Sequence, residues 1–180
     1  MTPLEKSMVY LIKHQPKSQI GVLMLAKYLY LSDYVFAKTF GNKKTFTGAY
    51  TRLQKGPVPS GFYDALSSLT TKKIIKRVGH TILLSNNTVA TPDISKEEKA
   101  CLDKVINDFA GRSLKKVVDA AYSTEPMKNL IAEESSLGGE ILLFQKLDFD
   151  KIQKHSLLEN DKLDTSFIDS EEYKKSVKDE

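Results

Sequence analysis

Apolar positions along the chain fall into a succession of helical stripes, interrupted once by a pair of short β-branched runs. Leu4, Met8, Leu11 and Ile12 recur at helical spacing, so residues 4–14 predict an amphipathic helix that Pro16 stops nearby. Ser18 is expected to cap a longer helix that reaches about Phe40. Its centre, Val22-Leu23-Met24-Leu25-Ala26, is apolar almost all round, as in a helix buried on every side. Gly41-Asn42 closes it. Residues 43–59 contain Gly48, Gly56, Pro57 and Pro59 and predict a loop, or a loop with a short strand. Val58 stands between two prolines and must be extended. From about Ser60 a further helix carries Phe62, Ala65, Leu66 and Leu69 on one face. The runs Lys73 to Val78 and Thr81 to Ser85, joined by Gly79-His80, predict a hairpin with a tight turn.

In the second half, Ser95-Lys96-Glu97-Glu98 forms a capping box for a helix that turns Cys101, Leu102, Val105, Ile106 and Phe109 inward. Gly111 ends that helix, Ser113 caps the next through about Tyr122, and Pro126 allows a short one to about Glu134. Leu137 to Leu147 is broken by Gly138-Gly139, with Ile141 to Phe144 readable as a short strand. From Glu159 onward eight acids and four lysines predict an acidic tail, flexible or marginally helical, over residues 159–180, leaving 1–158 as the folded domain. The expected fold is mainly α (α+β). It is a compact bundle of about six helices around a central buried helix, with one small β-hairpin.

The net charge of +4 conceals an asymmetry. Residues 1–92 carry 13 Lys+Arg against 3 acids, and residues 93–180 carry 14 against 20. A basic half suits an acidic partner, either nucleic acid or an acidic protein face, unless the two halves neutralise each other in space. Cys101 is the single cysteine, so no internal disulfide forms, and a reducing, cytoplasmic setting is expected. The N-terminal stretch, interrupted by Glu5, Lys6 and Lys13, does not read as a signal peptide, and no apolar run approaches a membrane span.

Catalytic signatures are missing. His14, His80 and His155 are isolated, and Cys101 falls on the apolar face of its helix. Gly56 and Gly61 have phosphate-loop spacing, but Phe62-Tyr63 occupy the positions that need lysine and a hydroxyl. No enzymatic activity, metal or cofactor is therefore expected. Asp33, inside an otherwise apolar helix, needs a buried partner, for which Lys27, Arg52 or a tyrosine hydroxyl would serve. The helix ending near Leu69 and the hairpin after it look like the third helix and wing of a winged helix-turn-helix. In that reading Lys72, Lys73, Lys76 and Arg77 would face phosphates. The alternative is a solvated basic hairpin edge. The helix itself offers Ser67, Ser68, Thr70 and Thr71 but no Arg, Asn or Gln for base contacts.

One set of motifs resembles a known family. Tyr28-Leu29-Tyr30-Leu31-Ser32-Asp33, Thr47-Gly48-Ala49-Tyr50, Lys55-Gly56-Pro57-Val58-Pro59, and then Tyr63 and Leu66, are similar to the Panacea, or SocA-like, antitoxin domain. Ser123, Glu125 and Pro126 look like the Ser-x-Glu-Pro element of that family, with Met127-Lys128 where an aromatic commonly follows. The resemblance spans roughly residues 5–135 and marks Tyr28, Asp33, Gly48, Gly56, Pro57, Val58 and Pro59 as a structural motif. It implies the antitoxin of a bacterial or phage toxin–antitoxin system. Such an antitoxin neutralises a cognate toxin by direct protein binding, the toxin being encoded by the adjacent gene. Nucleic acid is the alternative partner, and no membrane is implied. Candidate toxin contacts are Tyr50, Arg52, Lys55, Tyr63, Lys72, Lys73, Lys76 and Arg77. Tyr50, Arg52 and Tyr63 are equally plausible as core residues with a polar tip.

Overall fold

The computed structural model describes residues 1–41, 45–86, 88–158 and 161–169. Helix α1 (Pro3–Lys13) starts at a capping box in which Thr2 and Glu5 exchange bonds with each other's backbone N–H. A short 3₁₀ turn at Pro16–Ser18 follows, and then strand β1 (Gln19–Gly21). Here the sequence expectation is corrected. Ser18 does not cap the long helix, because Gln19–Gly21 pairs with a later strand. Helix α2 (Val22–Phe40) begins only after Gly21, where the Val22 N–H is taken by the His80 carbonyl. Gly41, at φ 64°, closes α2 in the left-handed conformation that glycine adopts without cost. Asn42 lies outside the described residues.

The loop after α2 leads into strands β2 (Tyr50–Leu53) and β3 (Gly56–Pro59), an antiparallel pair joined through Gln54-Lys55. Val58 is extended as its two prolines require. Those prolines lack N–H groups, which suits β3 to the edge of a two-stranded sheet. Helix α3 (Phe62–Thr71) is followed by β4 (Ile75–Val78) and β5 (Thr81–Leu84). Strand β5 is sandwiched in the order β1-β5-β4. The expected single hairpin is thus two small antiparallel sheets, one of three strands and one of two. Three helices complete the architecture: α4 (Lys96–Phe109), α5 (Leu114–Tyr122) and α6 (Glu125–Ser136). The Ser95–Glu98 capping box and the Ser113 cap both form. Ile141 to Phe144 is not a strand. The residues just beyond it bridge to β2, with Thr51 paired to Lys146.

Helix α2 packs against α1, α4, α5 and β3, and Leu25, Leu29 and Leu31 are fully buried within one continuous core. The helix is apolar all round because it has neighbours on every side. Of the segment expected as a tail, Ser166–Asp169 forms a 3₁₀ turn packed on α5, with Phe167 buried. Residues 159, 160 and 170–180 lie outside the described residues. Among the described residues no helix is long and apolar enough to cross a membrane.

Candidate functional site: a buried polar hub and an exposed basic hairpin

Arg52 and Glu134 are each only 1% exposed and form an ion pair, Arg52 Nε to Glu134 Oε1 at 3.1 Å. Alternation along β2 sends Arg52 inward with Tyr50. Its Nη1 donates to the Leu53 carbonyl at 2.7 Å and to the Tyr122 hydroxyl at 2.8 Å. Glu134 Oε1 also accepts the Leu142 N–H at 3.1 Å, which ties the loop after α6 to the same centre. Lys27 reaches this hub from α2 and donates to the Pro57 carbonyl at 2.9 Å. Burial, and then the Arg52 charge, bring the Lys27 ammonium down to about 7. Gly56 sits where these groups converge. At φ 90°, a Cβ there would lie 2.9 Å from the Tyr122 ring and 3.0 Å from Lys27 Nζ. The Gly-Pro-Val-Pro element is therefore internal scaffold: all four of its residues are buried.

Asp33 anchors the loop between α2 and β2. It accepts the Phe46 N–H at 2.6 Å, the Thr47 N–H at 3.3 Å, the Tyr50 hydroxyl at 2.6 Å and the Thr47 hydroxyl. Burial pushes its carboxyl up to about 7, while these donors pull the other way. Of the three partners expected for Asp33, the tyrosine hydroxyl serves. Lys27 and Arg52 bond elsewhere. Tyr50 and Arg52, expected as toxin contacts, are corrected to core residues, because both side chains are spent on internal hydrogen bonds. Tyr28, from the same motif set, donates to the Phe109 carbonyl at 3.3 Å and so ties α2 to α4.

A second stripe on α2 was missed in the sequence. Lys27, Tyr30, Tyr34 and Lys38 recur at helical spacing. Tyr30 shares a hydrogen bond with Thr124 at 2.5 Å, and Tyr34 and Lys38 both donate to Glu125. Tyr30, Tyr34 and Lys38 therefore hold the turn between α5 and α6, where Ser123, Glu125 and Pro126 lie. The polar tips at i, i+3 and i+7 were the available signal, masked by the apolar residues around them.

The remaining candidates are on the surface, and not all together. Tyr63 is 59% exposed at the start of α3. Lys72 follows the other end of α3, about 13 Å away at 1.5 Å per residue. Lys55 sits apart, in the β2–β3 turn. Lys73, Lys76 and Arg77 are exposed along β4 and its approach. Lys73 has φ 55°, and this left-handed residue turns the chain out of α3 into β4. Lys72 is not a free cation: it pairs with Glu5 at 2.9 Å. The Ser68 hydroxyl, with Lys72 assisting, holds the Glu5 carboxyl down at about 2. Cys101 is buried, and burial pushes its thiol up to about 12. Among the described residues no group of three or more His, Cys, Asp or Glu is placed to hold a metal ion.

Residues 25–126, more than half of the chain, match the family model described as antitoxin SocA-like, Panacea domain. The chain belongs to the SocA-like Panacea family. No curated protein and no solved structure matched. The match begins inside α2 and ends at Pro126, so it takes in Asp33, Tyr50, the Gly-Pro-Val-Pro element and the α5–α6 turn. These Panacea residues are the ones the structure buries and hydrogen-bonds together, while the exposed lysines lie on elements between them.

Proposed function

We propose that this chain is the antitoxin of a toxin–antitoxin pair and neutralises its toxin by direct, stoichiometric binding in the cytoplasm, without chemistry of its own. Membership of the antitoxin SocA-like Panacea family carries this reading. The physical arrangement agrees with it. Among the described residues, buried polar groups other than Gln15 Nε2 and Glu134 Oε2 have internal partners, which supports a rigid scaffold, and cations such as Lys73 and Lys76 are left on the surface for recognition. The antitoxin body comprises residues 1–158 together with the Ser166–Asp169 turn packed on α5. Its toxin is an acidic-faced protein encoded by the adjacent gene. Lys73, Lys76 and Arg77 on the exposed hairpin steer it in, with Tyr63 and Lys55 as further contacts and Lys72 held back by Glu5.

One observation favours a second reading. The order α1–β1–α2–β2–β3–α3–β4–β5, with β1 pairing β5 in the sheet β1-β5-β4, is that of a winged helix with the β2–β3 hairpin inserted between its second and third helices. A fold does not fix a function, however. The exposed face of α3 presents Tyr63, Asp64, Ser67, Thr70 and Thr71, with one acid and no base-reading Arg, Asn or Gln. Co-expression with the adjacent gene product decides. The antitoxin reading expects restored growth and a co-purifying complex. A chain that neither binds that product nor relieves growth arrest overturns it. Duplex binding lost on reversing the hairpin charges, with neutralisation intact, would assign the hairpin to DNA.

A further inference from the structure

The segment beyond the Panacea match lies across residues that belong to it. From Lys154 the chain runs along the end of α2, where the His155 N–H donates to the Lys38 carbonyl at 2.6 Å and the Leu157 N–H to Thr39 Oγ1 at 3.2 Å. It then reaches the α5–α6 turn. The Phe167 N–H donates to the buried Ser123 hydroxyl at 3.3 Å, and Phe167 is 9% exposed. Lys128 serves two neighbours: its ammonium is 3.4 Å from Asp164 Oδ2 and 5.4 Å from the centre of the Phe167 ring. Asp164 Oδ1 accepts the Ser166 N–H at 2.8 Å and its hydroxyl at 2.7 Å, which fixes the spacing between carboxylate and ring. Between the segment and the body lies a cleft of about 270 Å³, with Tyr34, Lys38, Glu125 and Lys128 in one wall and Lys162, Leu163 and Asp164 of the segment in the other. Glu125 is matched by Lys38 and Tyr34, so on the α6 side of the cleft Lys128 is the cation that receives the Asp164 carboxylate.

We propose that the groove between the end of α2 and the α5–α6 turn is a peptide-binding site for a segment with a carboxylate three residues before an aromatic ring. The chain's own Asp164–Phe167 fills it in cis, and a partner segment of the same pattern exchanges with it. Three separate contacts define that pattern: an ion pair, a ring seated under a cation, and a backbone N–H on a buried hydroxyl. None of them is made by the buried hub or the basic hairpin. The proposal therefore stands independently of the toxin reading. A tethered segment holds its site at an effective concentration on the order of 1 mM, so a free segment competes only weakly until the cis copy is disabled.

The probe is a fluorescent synthetic peptide with the sequence of residues 161–169, titrated into the full chain. Wild type should bind it at least tenfold more weakly than the double variant Asp164→Ala, Phe167→Ala. Adding Lys128→Ala to that variant should remove the gain, and salt should weaken binding. Equal affinity of wild type and double variant, or no binding by a double variant with a native circular dichroism spectrum, overturns the proposal. Should the double variant fail to fold, amide hydrogen exchange on wild type decides. Residues 161–167 should exchange at least tenfold faster than the α2 and α5 amides, reporting independent release. Exchange only by global unfolding would make the contact part of the scaffold and refute the site.

Discussion

Two hairpins from the basic half of the chain have opposite fates. The β2–β3 hairpin, residues 50–59, is drawn into the interior: Tyr50 and Arg52 point inward, and Gly56 to Pro59 are buried. The β4–β5 hairpin, residues 75–84, buries Ile75, Ile82 and Leu84 and leaves Lys76, Arg77 and Val78 outside. Both carry cations. The first has a buried carboxylate, Glu134, and a tyrosine hydroxyl to receive its guanidinium. Beside the second, Glu5 is taken by Lys72, and among the described residues no ion pair is formed by Lys76 or Arg77. A basic residue in this protein is thus structural or available for recognition according to whether the fold brings an acceptor to it. Most family-motif residues sort with the first class, Lys55 and Tyr63 excepted, and the expected contacts largely with the second.

The sharpest way to break this contrast is to remove a buried charge. Arg52→Ala removes the ion-pair partner of Glu134 in the core and should cost about 3–5 kcal/mol. Urea unfolding measures it, and a loss under 1 kcal/mol would mean that the hub does not hold the fold. Gly56→Ala comes next. It combines a left-handed φ with contacts at 2.9 and 3.0 Å to Tyr122 and Lys27, and should cost about 1–3 kcal/mol.

Both buried ionisable groups of α2 should shape the pH profile of stability. Asp33 is raised from 3.8 to about 7, so its stabilising contribution is fully present below pH 3.8 and is lost as pH rises through 7. Lys27 is lowered from 10.5 to about 7, so its contribution is present above pH 10.5 and is lost as pH falls through 7. Together they place a minimum near pH 7, with limiting slopes of about 1.4 kcal/mol per pH unit for one proton. Asp33→Asn should flatten the acid limb and Lys27→Met the alkaline limb, as read from melting curves across pH. Slopes unchanged in both variants would contradict these assignments.

The smallest effect on stability is expected at the outer hairpin. Replacing Lys73, Lys76 and Arg77 with glutamate, and sparing Lys72, should change stability by no more than about 0.5 kcal/mol. The same variant should slow toxin association and flatten its salt dependence. An unchanged association rate, with a native circular dichroism spectrum, would remove the hairpin from the interface. Lys72 is spared because reversing it would set a carboxylate against Glu5 and confuse stability with recognition.

Local rules were enough for much of this architecture. The capping box at Ser95–Glu98, the Ser113 cap, the glycine at the end of α2 and the extended Val58 each follow from interactions within a few residues. The all-round apolar centre of α2 announced burial before any partner was known. The sequence motifs also located the α5–α6 turn at Ser123, Glu125 and Pro126. What they could not supply was any pairing across long separations. Gln19–Gly21 looked like the start of a helix, and only hydrogen bonds to residues 81–83, some 60 positions away, made it a strand. Arg52 looked like a surface anchor until α6 brought Glu134 to it across 82 residues. Lys72 looked free until Glu5 arrived from α1. Residues 161–167 looked like solvated tail until Ser123 and Lys128 received them. A residue's propensity for a helix, turn or cap is a property of its neighbourhood in the chain, so sequence determined it. Whether a charge or a backbone N–H is satisfied depends on what the folded chain carries to it, and that the tertiary structure alone decided.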